Sequence, residues 1–299
     1  MSERPVVVGI DGSEAALAAL DWAVGEAVER HRRLRVVHVF VWPLFDHVPL
    51  GPLPAGPPSS GLRAAAQGIL DEAERRASML SPGLTVEGTI RTGTAGPAML
   101  AEAEDAELVV VGSRGLGGFA GLVLGSVSSL LAAHASCPVV VTRALTPHRG
   151  RPAGDTVVVG VEDLETSAAT IEFALAEASR LGASLTLISC LPPGSAIYGV
   201  PLLSEEIVTT QRELLTAAAN EWQQKFPEVA IKDELIRGTP AQTLVNASKT
   251  ARLVVVGARG SGGFAGLRLG SVSQQVLHHA ASPVAIVHHS TDYGQRSEQ

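Results

Sequence analysis

The chain carries the stretch RGLGGFAGLVLGSVS at residues 114–128 and repeats it as RGSGGFAGLRLGSVS at residues 259–273. The two copies are identical at thirteen of fifteen positions. An apolar run precedes each copy, ELVVVGS at 107–113 and RLVVVGA at 252–258. The spacing between the copies is far longer than the repeat of a solenoid protein, so it indicates duplication of a whole domain.

The starts of the two halves also correspond, with VVVGIDGS at 6–13 and VVVGVEDL at 157–164. These starts are 151 residues apart, whereas the glycine-rich copies are 145 apart, so the first half holds about six extra residues. We place them in the proline- and glycine-rich stretch 43–61, which is typical of irregular structure. For a chain of 299 residues, we therefore predict a first domain at 1–145, a linker at 146–155, a second domain at 156–288 and a polar tail at 289–299.

Short apolar runs alternate with helical segments in both halves. In the first half, the pattern predicts helices at 13–31 (with Ser13 as N-cap), 61–80, 97–106 and 126–135, and strands at 6–10, 34–40, 85–93, 107–113 and 138–142. In the second half, it predicts strands near 156–161, 184–190, 229–236, 252–257 and 283–287. Strands separated by helices form parallel sheets through right-handed crossovers. The predicted fold class is α/β, with two tandem Rossmann-like, doubly wound, five-stranded parallel sheets that carry helices on both faces.

Composition narrows the possible partners and the location. With 23 basic and 30 acidic residues the net charge is −7, and no basic tract is present, which argues against a nucleic-acid partner. No apolar run is long enough to span a membrane, and the N-terminus does not read as a signal peptide, so we expect a cytoplasmic protein without a membrane partner. The two cysteines, Cys137 and Cys190, lack the spacing of a zinc site and are expected to be small buried apolar residues.

Both halves share the pattern Gly-x2-Gly-x9-Gly-Ser after the fourth predicted strand, at Gly112–Ser126 and Gly257–Ser271. In an open doubly wound sheet a ligand lies at the carboxyl ends of the strands, here between the first and fourth strands of each half. The first two glycines would permit positive φ and close approach of the backbone to a ligand. The final Gly-Ser would open a helix whose free N–H groups bind an anion. The pattern therefore favours phosphate binding, although a tight turn with an ordinary serine cap is the alternative.

Other features leave both a structural and a functional interpretation open. Arg114 and Arg259 occupy the same position in the two loops, where each either lies in solvent or clasps a phosphate. Asp11 either caps the first helix through an Asx turn or contacts a ligand. The pattern is neither a Walker A loop, because no lysine follows the last glycine, nor a dinucleotide fingerprint, because no GxGxxG follows the first strand.

With this glycine pattern, the sequence resembles the ATP-binding branch of the universal stress protein family. The resemblance covers nearly the whole chain. The resemblance implies that Asp11 lies beside the nucleoside and that Val39 packs on adenine, with Glu162 and Cys190 at the corresponding positions of the second half. It also implies that the glycines and serines bind phosphate and ribose, with ATP as the cofactor, alone or with Mg²⁺. The implied cofactor-binding residues are Gly9, Ile10, Asp11, Val39, Gly112, Arg114, Gly115, Gly125, Ser126, Val127, Ser128, Gly160, Val161, Glu162, Cys190, Gly257, Arg259, Gly260, Gly270, Ser271, Val272 and Ser273.

The resemblance implies a binding and signalling module, not an enzyme, in a stress response. No catalytic cluster is predicted, because phosphoryl transfer needs more charge neutralisation than these loops offer. No metal-binding cluster is predicted either. A slow ATPase or phosphotransferase, and a scaffold that binds no nucleotide, remain the alternatives. The last strands of the two halves, 138–142 and 283–287, are apolar edge strands that need covering. We therefore expect an intramolecular pseudo-dimer of domains, and a homodimer of chains stays open.

Overall fold

Valine-rich runs form the central strands of both halves. The structure is a computed structural model, and it describes residues 3–40, 58–116, 124–143, 155–191, 196–197, 200–201, 205–260 and 268–288. The chain divides into two units, Met1–Cys137 and Pro138–Gln299. The predicted linker and tail lie outside the described residues, apart from Asp155.

The first unit is a parallel sheet covered on both faces by helices. Its strands lie in the order β4-β1-β2-β3, and every neighbouring pair is parallel. A Cβ added to Gly88 would lie 2.8 Å from Leu70 of the second helix, whereas one added to Gly9 would lie 3.0 Å from Met99 of the third, so these two helices cover opposite faces. The elements are β1 (Val6–Ile10), α1 (Glu14–Glu29), β2 (Leu34–Phe40), α2 (Pro58–Leu80), β3 (Val86–Thr92), α3 (Ala95–Glu104), β4 (Leu108–Gly112) and α4 (Ser126–His134).

Two helices begin earlier than predicted. Helix α2 begins at Pro58, so residues 58–61 are helical although we predicted the whole stretch 43–61 to be irregular; its residues 43–57 lie outside the described range. Helix α3 begins at Ala95, two residues before the predicted start at Pro97. In both cases proline lies in the first turn, where its missing N–H removes no intrahelical hydrogen bond.

The second unit repeats this arrangement and extends its main sheet by two strands at one edge. Its main sheet has the order β10-β7-β6-β11-β12-β5, parallel except for the antiparallel pair β12–β5. The elements are β5 (Val139–Thr142), β6 (Thr156–Val161), α5 (Ala168–Leu181), β7 (Ser184–Leu191), β8 (Ala196–Ile197), β9 (Val200–Pro201), α6 (Glu205–Lys225), β10 (Ile231–Arg237), α7 (Pro240–Ala247), β11 (Leu253–Gly257), α8 (Ser271–His279) and β12 (Val284–Val287). The strands β8 and β9 form a separate antiparallel pair.

Strand β5 belongs to the first sequence repeat but lies in the second unit. It pairs with β12 in the register Val141↔Val284, Val140↔Ala285 and Val139↔Ile286. All of these side chains are buried, so each apolar strand covers an edge of the other, as we expected of the last strands of the two repeats. The spatial division therefore falls before β5, whereas the sequence repeat ends after it.

Buried aliphatic side chains form the core, and one buried carboxylate ties a helix to the sheet. Val6, Val7 and Val8 of β1 are fully buried. Glu102 of α3 is 4% exposed and accepts hydrogen bonds from Arg35 of β2 at 3.0 Å and Arg91 of β3 at 2.5 Å. None of the helices in the described part of the chain is long and apolar enough to cross a membrane.

Candidate functional site

The strand order agrees with the predicted position of the crevice, between the first and fourth strands of each half. Strand β1 lies between β2 and β4, and β6 lies between β7 and β11. The strand order changes direction at these two central strands. The loops at their carboxyl ends therefore lead to opposite sides and leave a crevice between them. In each half, the segment after the first strand and the glycine-rich segment after the fourth strand therefore meet at one edge of the sheet.

Asp11 links these two segments in the first half. Its Oδ1 accepts hydrogen bonds from Ser13 N at 3.0 Å and Ser13 Oγ at 2.6 Å. Its Oδ2 accepts a hydrogen bond from Leu116 N, in the glycine-rich loop, at 2.7 Å. Gly12, between Asp11 and Ser13, has a φ of 86°. Asp11 therefore forms the Asx turn that one interpretation predicted, and it also reaches across to the loop.

The second glycine of each loop lies against this carboxylate. A Cβ on Gly115 would overlap Asp11 Oδ2, and a Cβ on Gly260 would overlap Glu162 Oε2. The contact is therefore present in both halves although the acidic residue differs. At these positions a larger residue would force the neighbouring carboxylate to move, because the carboxylate occupies the space that a side chain would need.

The first glycine serves helix packing, and our reason for both loop glycines needs correction. A Cβ on Gly112 would lie 2.7 Å from the backbone carbon and oxygen of Ala15, at the start of α1. Positive φ occurs at Gly12, Gly83, Gly93 and Gly182 among the described glycines, and not at Gly112 or Gly115. The positive φ expected at Gly112 and Gly115 was therefore wrong; what the structure shows at both positions is close approach permitted by the absence of a Cβ.

The third glycine of each pattern precedes a helix with an open N-terminus. Gly125 N donates to Ser113 O at 2.7 Å and Gly270 N donates to Ala258 O at 2.7 Å, which closes each loop in the same way. Helices α4 and α8 then begin at Ser126 and Ser271, and neither has a side-chain cap. The first N–H groups of an α-helix have no intrahelical acceptor, so each helix end presents donors to an anion. Ser126 and Ser271 are exposed, and Val127 and Val272 are half-buried.

The second serine of each helix is turned towards the sheet. Ser128 is buried and its Oγ donates to Gly112 O at 2.9 Å, while Ser273 is buried and its Oγ donates to Gly257 O at 2.6 Å. Each hydroxyl proton thus holds a helix against the end of a strand. A phosphate contact of these two serines stays a prediction, whereas Ser126 and Ser271 are open to solvent.

Gly9 and Val39, two of the residues predicted at the nucleoside end, lie on the α3 face in the first half, whereas Ile10 points to the opposite face of the sheet. A Cβ on Gly9 would meet Met99 of α3 at 3.0 Å. Val39 is in register with Arg91, whose guanidinium bonds to Glu102 of the same helix, so Val39 shares this face and is half-buried. Ile10 is buried, and its carbonyl oxygen lies 2.9 Å from His38 Nδ1.

In the second half Gly160 and Cys190 lie on the corresponding face, and Val161 lies on the opposite one. A Cβ on Gly160 would lie 2.7 Å from Leu244 of α7, and Val161 is buried. Cys190 is half-buried, and its pKa is raised by burial despite an opposing hydrogen bond with Thr243 of α7. Cys190 therefore presents a protonated thiol where the first half presents Val39. The other cysteine, Cys137, is buried, and burial raises its pKa to about 12.

The charged groups around the loops are few. Arg114 and Arg259 are exposed, as is Glu162. Within the described ranges, no group of three or more histidine, cysteine, aspartate or glutamate side chains is placed to hold a metal ion. Sequence reasoning anticipated Ser13 as a helix cap and an Asx turn at Asp11, but it missed the bond from the Ser13 hydroxyl to Asp11. The adjacency of Asp11 and Ser13 in VVVGIDGS was the available signal for that contact.

Comparison with known proteins agrees with the repeated architecture. The model of the universal stress protein family matches residues 3–143 and 154–288. Universal stress protein Rv1996 of Mycobacterium tuberculosis is 33% identical over 301 residues, which covers 94% of each chain. A universal stress protein of Archaeoglobus fulgidus has a TM-score of 0.68 at 16% identity and covers 96% of this chain and 99% of its own.

Another solved structure is similar to about half of the chain. It is a universal stress protein in complex with cAMP, which is 27% identical, covers 48% of this chain and 99% of its own, and has a TM-score of 0.37. The two family matches and the long relative together cover both repeats. The chain therefore belongs to the universal stress protein family, with two tandem copies of the family's domain.

Proposed function

We propose that each half binds one adenine nucleotide, ATP in the first instance, and that occupancy regulates association with partners in a stress response. The observation that carries this proposal is that one arrangement occurs twice: a carboxylate against a loop glycine, followed by an uncapped helix N-terminus. The N–H groups at the start of α4 and α8 are donors suited to phosphate oxygens. The exposed Arg114 and Arg259 supply one cation beside each loop.

The charge of the acidic residue orients the ligand in this proposal. Asp11 lies against the loop through Leu116 N, and a carboxylate repels phosphate. The part of the ligand next to Asp11 must therefore be a neutral hydrogen-bond donor, such as a ribose hydroxyl or the adenine amine. Val39 offers an apolar surface on the next strand for a base. The same roles fall to Glu162 and Cys190 in the second half.

A regulatory role accounts for these residues better than a catalytic one. Phosphoryl transfer needs metal or several cations on the phosphates and a group that positions the nucleophile. The described loops provide one arginine each and no cluster of metal ligands. We therefore propose that any hydrolysis is slow, below about one turnover per minute, which is under the range of ordinary enzymes. ATP binding of this kind would fit a cytoplasmic protein.

Direct counting of bound nucleotide tests the proposal. The protein is purified without added nucleotide and denatured, and the released small molecules are identified by mass spectrometry and counted by absorbance. We expect close to two adenine nucleotides per chain, either as purified or after incubation with ATP and Mg²⁺. Absence of nucleotide under both conditions would refute the proposal and favour a scaffold role.

Two matched variants assign each nucleotide to its half. Gly125→Val and Gly270→Val each add a side chain at the start of one helix, where the neighbouring loop backbone lies 3.4–3.6 Å from a Cβ. Each variant should lose one of the two nucleotides and keep the other. A stoichiometry unchanged in both variants, with the fold intact, would show that the nucleotide binds elsewhere.

A further inference from the structure

The anchor of the acidic residue differs between the two halves. In the first half, Ser13 contributes both its N–H and its hydroxyl to Asp11 Oδ1. The corresponding residue of the second half is Leu164, whose side chain has no hydrogen-bonding group. The residue that follows the acidic residue also differs. It is Gly12, with a φ of 86°, in the first half and Asp163, whose φ is not positive, in the second.

The helix that follows the acid changes with it. Ser13 is the N-cap of α1 and its Oγ accepts a hydrogen bond from Ala16 N at 3.2 Å. Helix α5 begins at Ala168, three residues later than the position that corresponds to the start of α1. The intervening turn is held by Asp163, whose Oδ1 accepts from Thr166 N at 2.9 Å. The α-helix therefore begins directly beside the first site, whereas a separate turn, closed by the bond from Ser167 N to Asp163 O at 3.0 Å, precedes it beside the second.

From these differences we propose that Ser13 is a positioning residue that preforms the first nucleotide site by holding the carboxylate of Asp11. This inference rests on the proposed function. Ser13 fixes one oxygen of Asp11, and the other oxygen then faces Leu116 N. The carboxylate and the start of the loop are thereby set in place before a ligand arrives. A site that needs no ordering on binding retains more of its interaction energy.

The geometry of Asp11 explains why the positioning affects the nucleoside part of a ligand and not its phosphates. A carboxylate accepts about four hydrogen bonds, and three donors of the protein already use this one. The remaining acceptor direction is set by those three bonds and suits a hydroxyl or an amine of the ligand. The phosphate donors are the free N–H groups at the start of α4, and Ser13 does not contact them, since its hydroxyl bonds to Asp11 and to Ala16 N.

Binding to single-site proteins tests the inference. In the Gly270→Val background, which retains the first site, Ser13→Ala should weaken ATP and adenosine by about tenfold, as expected for hydrogen bonds to a charged group. Ser13→Thr keeps the hydroxyl and should stay within about twofold of the parent in the same assay. Competition by inorganic pyrophosphate against a fluorescent ATP analogue should not change in either variant.

The second half allows a gain-of-function test. In the Gly125→Val background, the graft Asp163→Gly with Leu164→Ser should strengthen ATP binding, because it supplies both the turn and the hydroxyl. An unchanged affinity in Ser13→Ala would overturn the inference. Equal weakening of ATP and pyrophosphate in Ser13→Ala would also overturn it, since that result indicates general damage from loss of the helix cap.

Failure of the proposed function gives a different result. If neither single-site parent nor the unaltered chain binds any adenine nucleotide, the proposed function is refuted and the inference falls with it. If the parents bind and only the Ser13 variants behave unexpectedly, the proposed function stands and the positioning role is refuted. Thermal melting without nucleotide, measured for every variant, separates changes in affinity from changes in folding.

Discussion

Asp11 Oδ2 lies in the space that a side chain at Gly115 would need, and it accepts a hydrogen bond from the next backbone N–H, that of Leu116, at 2.7 Å. The second half repeats the relationship with Glu162 and Gly260. The second glycine of the pattern is thus matched to the protein's own carboxylate. A change of either partner should disturb the loop before it disturbs the rest of the fold.

Gly115→Ala should impair the first site and spare the second. The new Cβ would overlap Asp11 Oδ2, so the carboxylate or the loop must move, and we expect the bond from Leu116 N–H to be lost or weakened. We expect nucleotide affinity of the first half to fall by about tenfold, the effect of losing a hydrogen bond to a charged group. Calorimetric titration of the Gly270→Val variant with and without Gly115→Ala measures this change.

Gly260→Ala is the matched change in the second half, and Gly25→Ala is the control. A Cβ on Gly260 meets Glu162, whereas one on Gly25 in α1 meets nothing within 4 Å. Gly260→Ala, studied in the Gly125→Val background, should therefore weaken the second site, and Gly25→Ala should leave both unchanged. Undiminished binding by both Gly115→Ala and Gly260→Ala would contradict a role for the carboxylate–glycine contact.

Gly112→Ala should lower stability, because the first glycine of the pattern allows helix α1 to approach β4. The added Cβ would lie 2.7 Å from backbone atoms of Ala15, which can move only if the start of the helix moves. Overpacking of this kind reduces the free energy of unfolding by about 1–3 kcal/mol. Urea unfolding followed by circular dichroism measures the loss.

The control variant Gly25→Ala should change the free energy of unfolding in the opposite direction when it is measured by the same urea unfolding. Gly25 lies at an exposed position within α1 and has open space around it. Alanine is favoured over glycine in a helix by about 1 kcal/mol, so Gly25→Ala should raise the free energy of unfolding. A Gly112→Ala protein as stable as the parent would show that α1 tolerates displacement and would remove the packing explanation for this glycine.

The sequence predicted the elements well because their signals are local. Valine-rich runs such as VVVGI at 6–10 became buried parallel strands, and Ser13 became an N-cap as expected. Local signals were weaker at the helix starts: Pro97 suggested the first residue of α3, but proline is equally compatible with any position in the first turn, and the helix begins at Ala95.

The contacts within the candidate site could not be predicted from sequence. Asp11 and Leu116 are 105 residues apart, and their hydrogen bond depends on how two loops meet beyond the sheet. A glycine in a sequence does not show whether it is needed for positive φ or for the absence of a Cβ. Gly112 and Gly115 belong to the second kind, and only the positions of Ala15 and Asp11 reveal it.

Glu107 should make the first unit sensitive to acid. Its carboxylate accepts hydrogen bonds from Arg30 at 3.0 Å and Arg32 at 2.5 Å. Burial raises the pKa of Glu107, but the hydrogen bonds and charges of the two arginines outweigh burial, and the net pKa lies below its ordinary value of 4.5. The stabilisation is therefore present above pH 4.5 and is lost as the pH falls through the lowered pKa of the folded protein.

Glu107→Gln isolates this contribution. The variant should be less stable than the parent at neutral pH, and the difference in free energy of unfolding should shrink as the pH falls below 4.5. Urea unfolding at a series of pH values measures it, and Glu104→Gln at an exposed position controls for the change in net charge. A difference that stays constant with pH would mean that Glu107 does not stabilise the fold through its charge.

Cys190 provides a chemical report on the second site. Burial raises the pKa of its thiol, so little thiolate is present near neutral pH and alkylation by a maleimide should be slow, then accelerate as the pH rises. Cys137 should react far more slowly still, because it is buried and its pKa is raised to about 12. Cys137→Ser removes even that background and leaves a chain with one thiol.

Nucleotide should protect Cys190 if this residue packs against the base. In the Cys137→Ser protein, saturating ATP should slow alkylation of Cys190 by at least about tenfold, because a bound ring covers a half-buried thiol. Addition of Gly270→Val, which blocks the second site, should abolish the protection, whereas Gly125→Val should preserve it. Protection that survives Gly270→Val, or nucleotide binding in the second half without any protection, would show that the base does not lie on Cys190. The apolar surface for adenine would then have to be sought elsewhere along the edge formed by β6, β7 and β11.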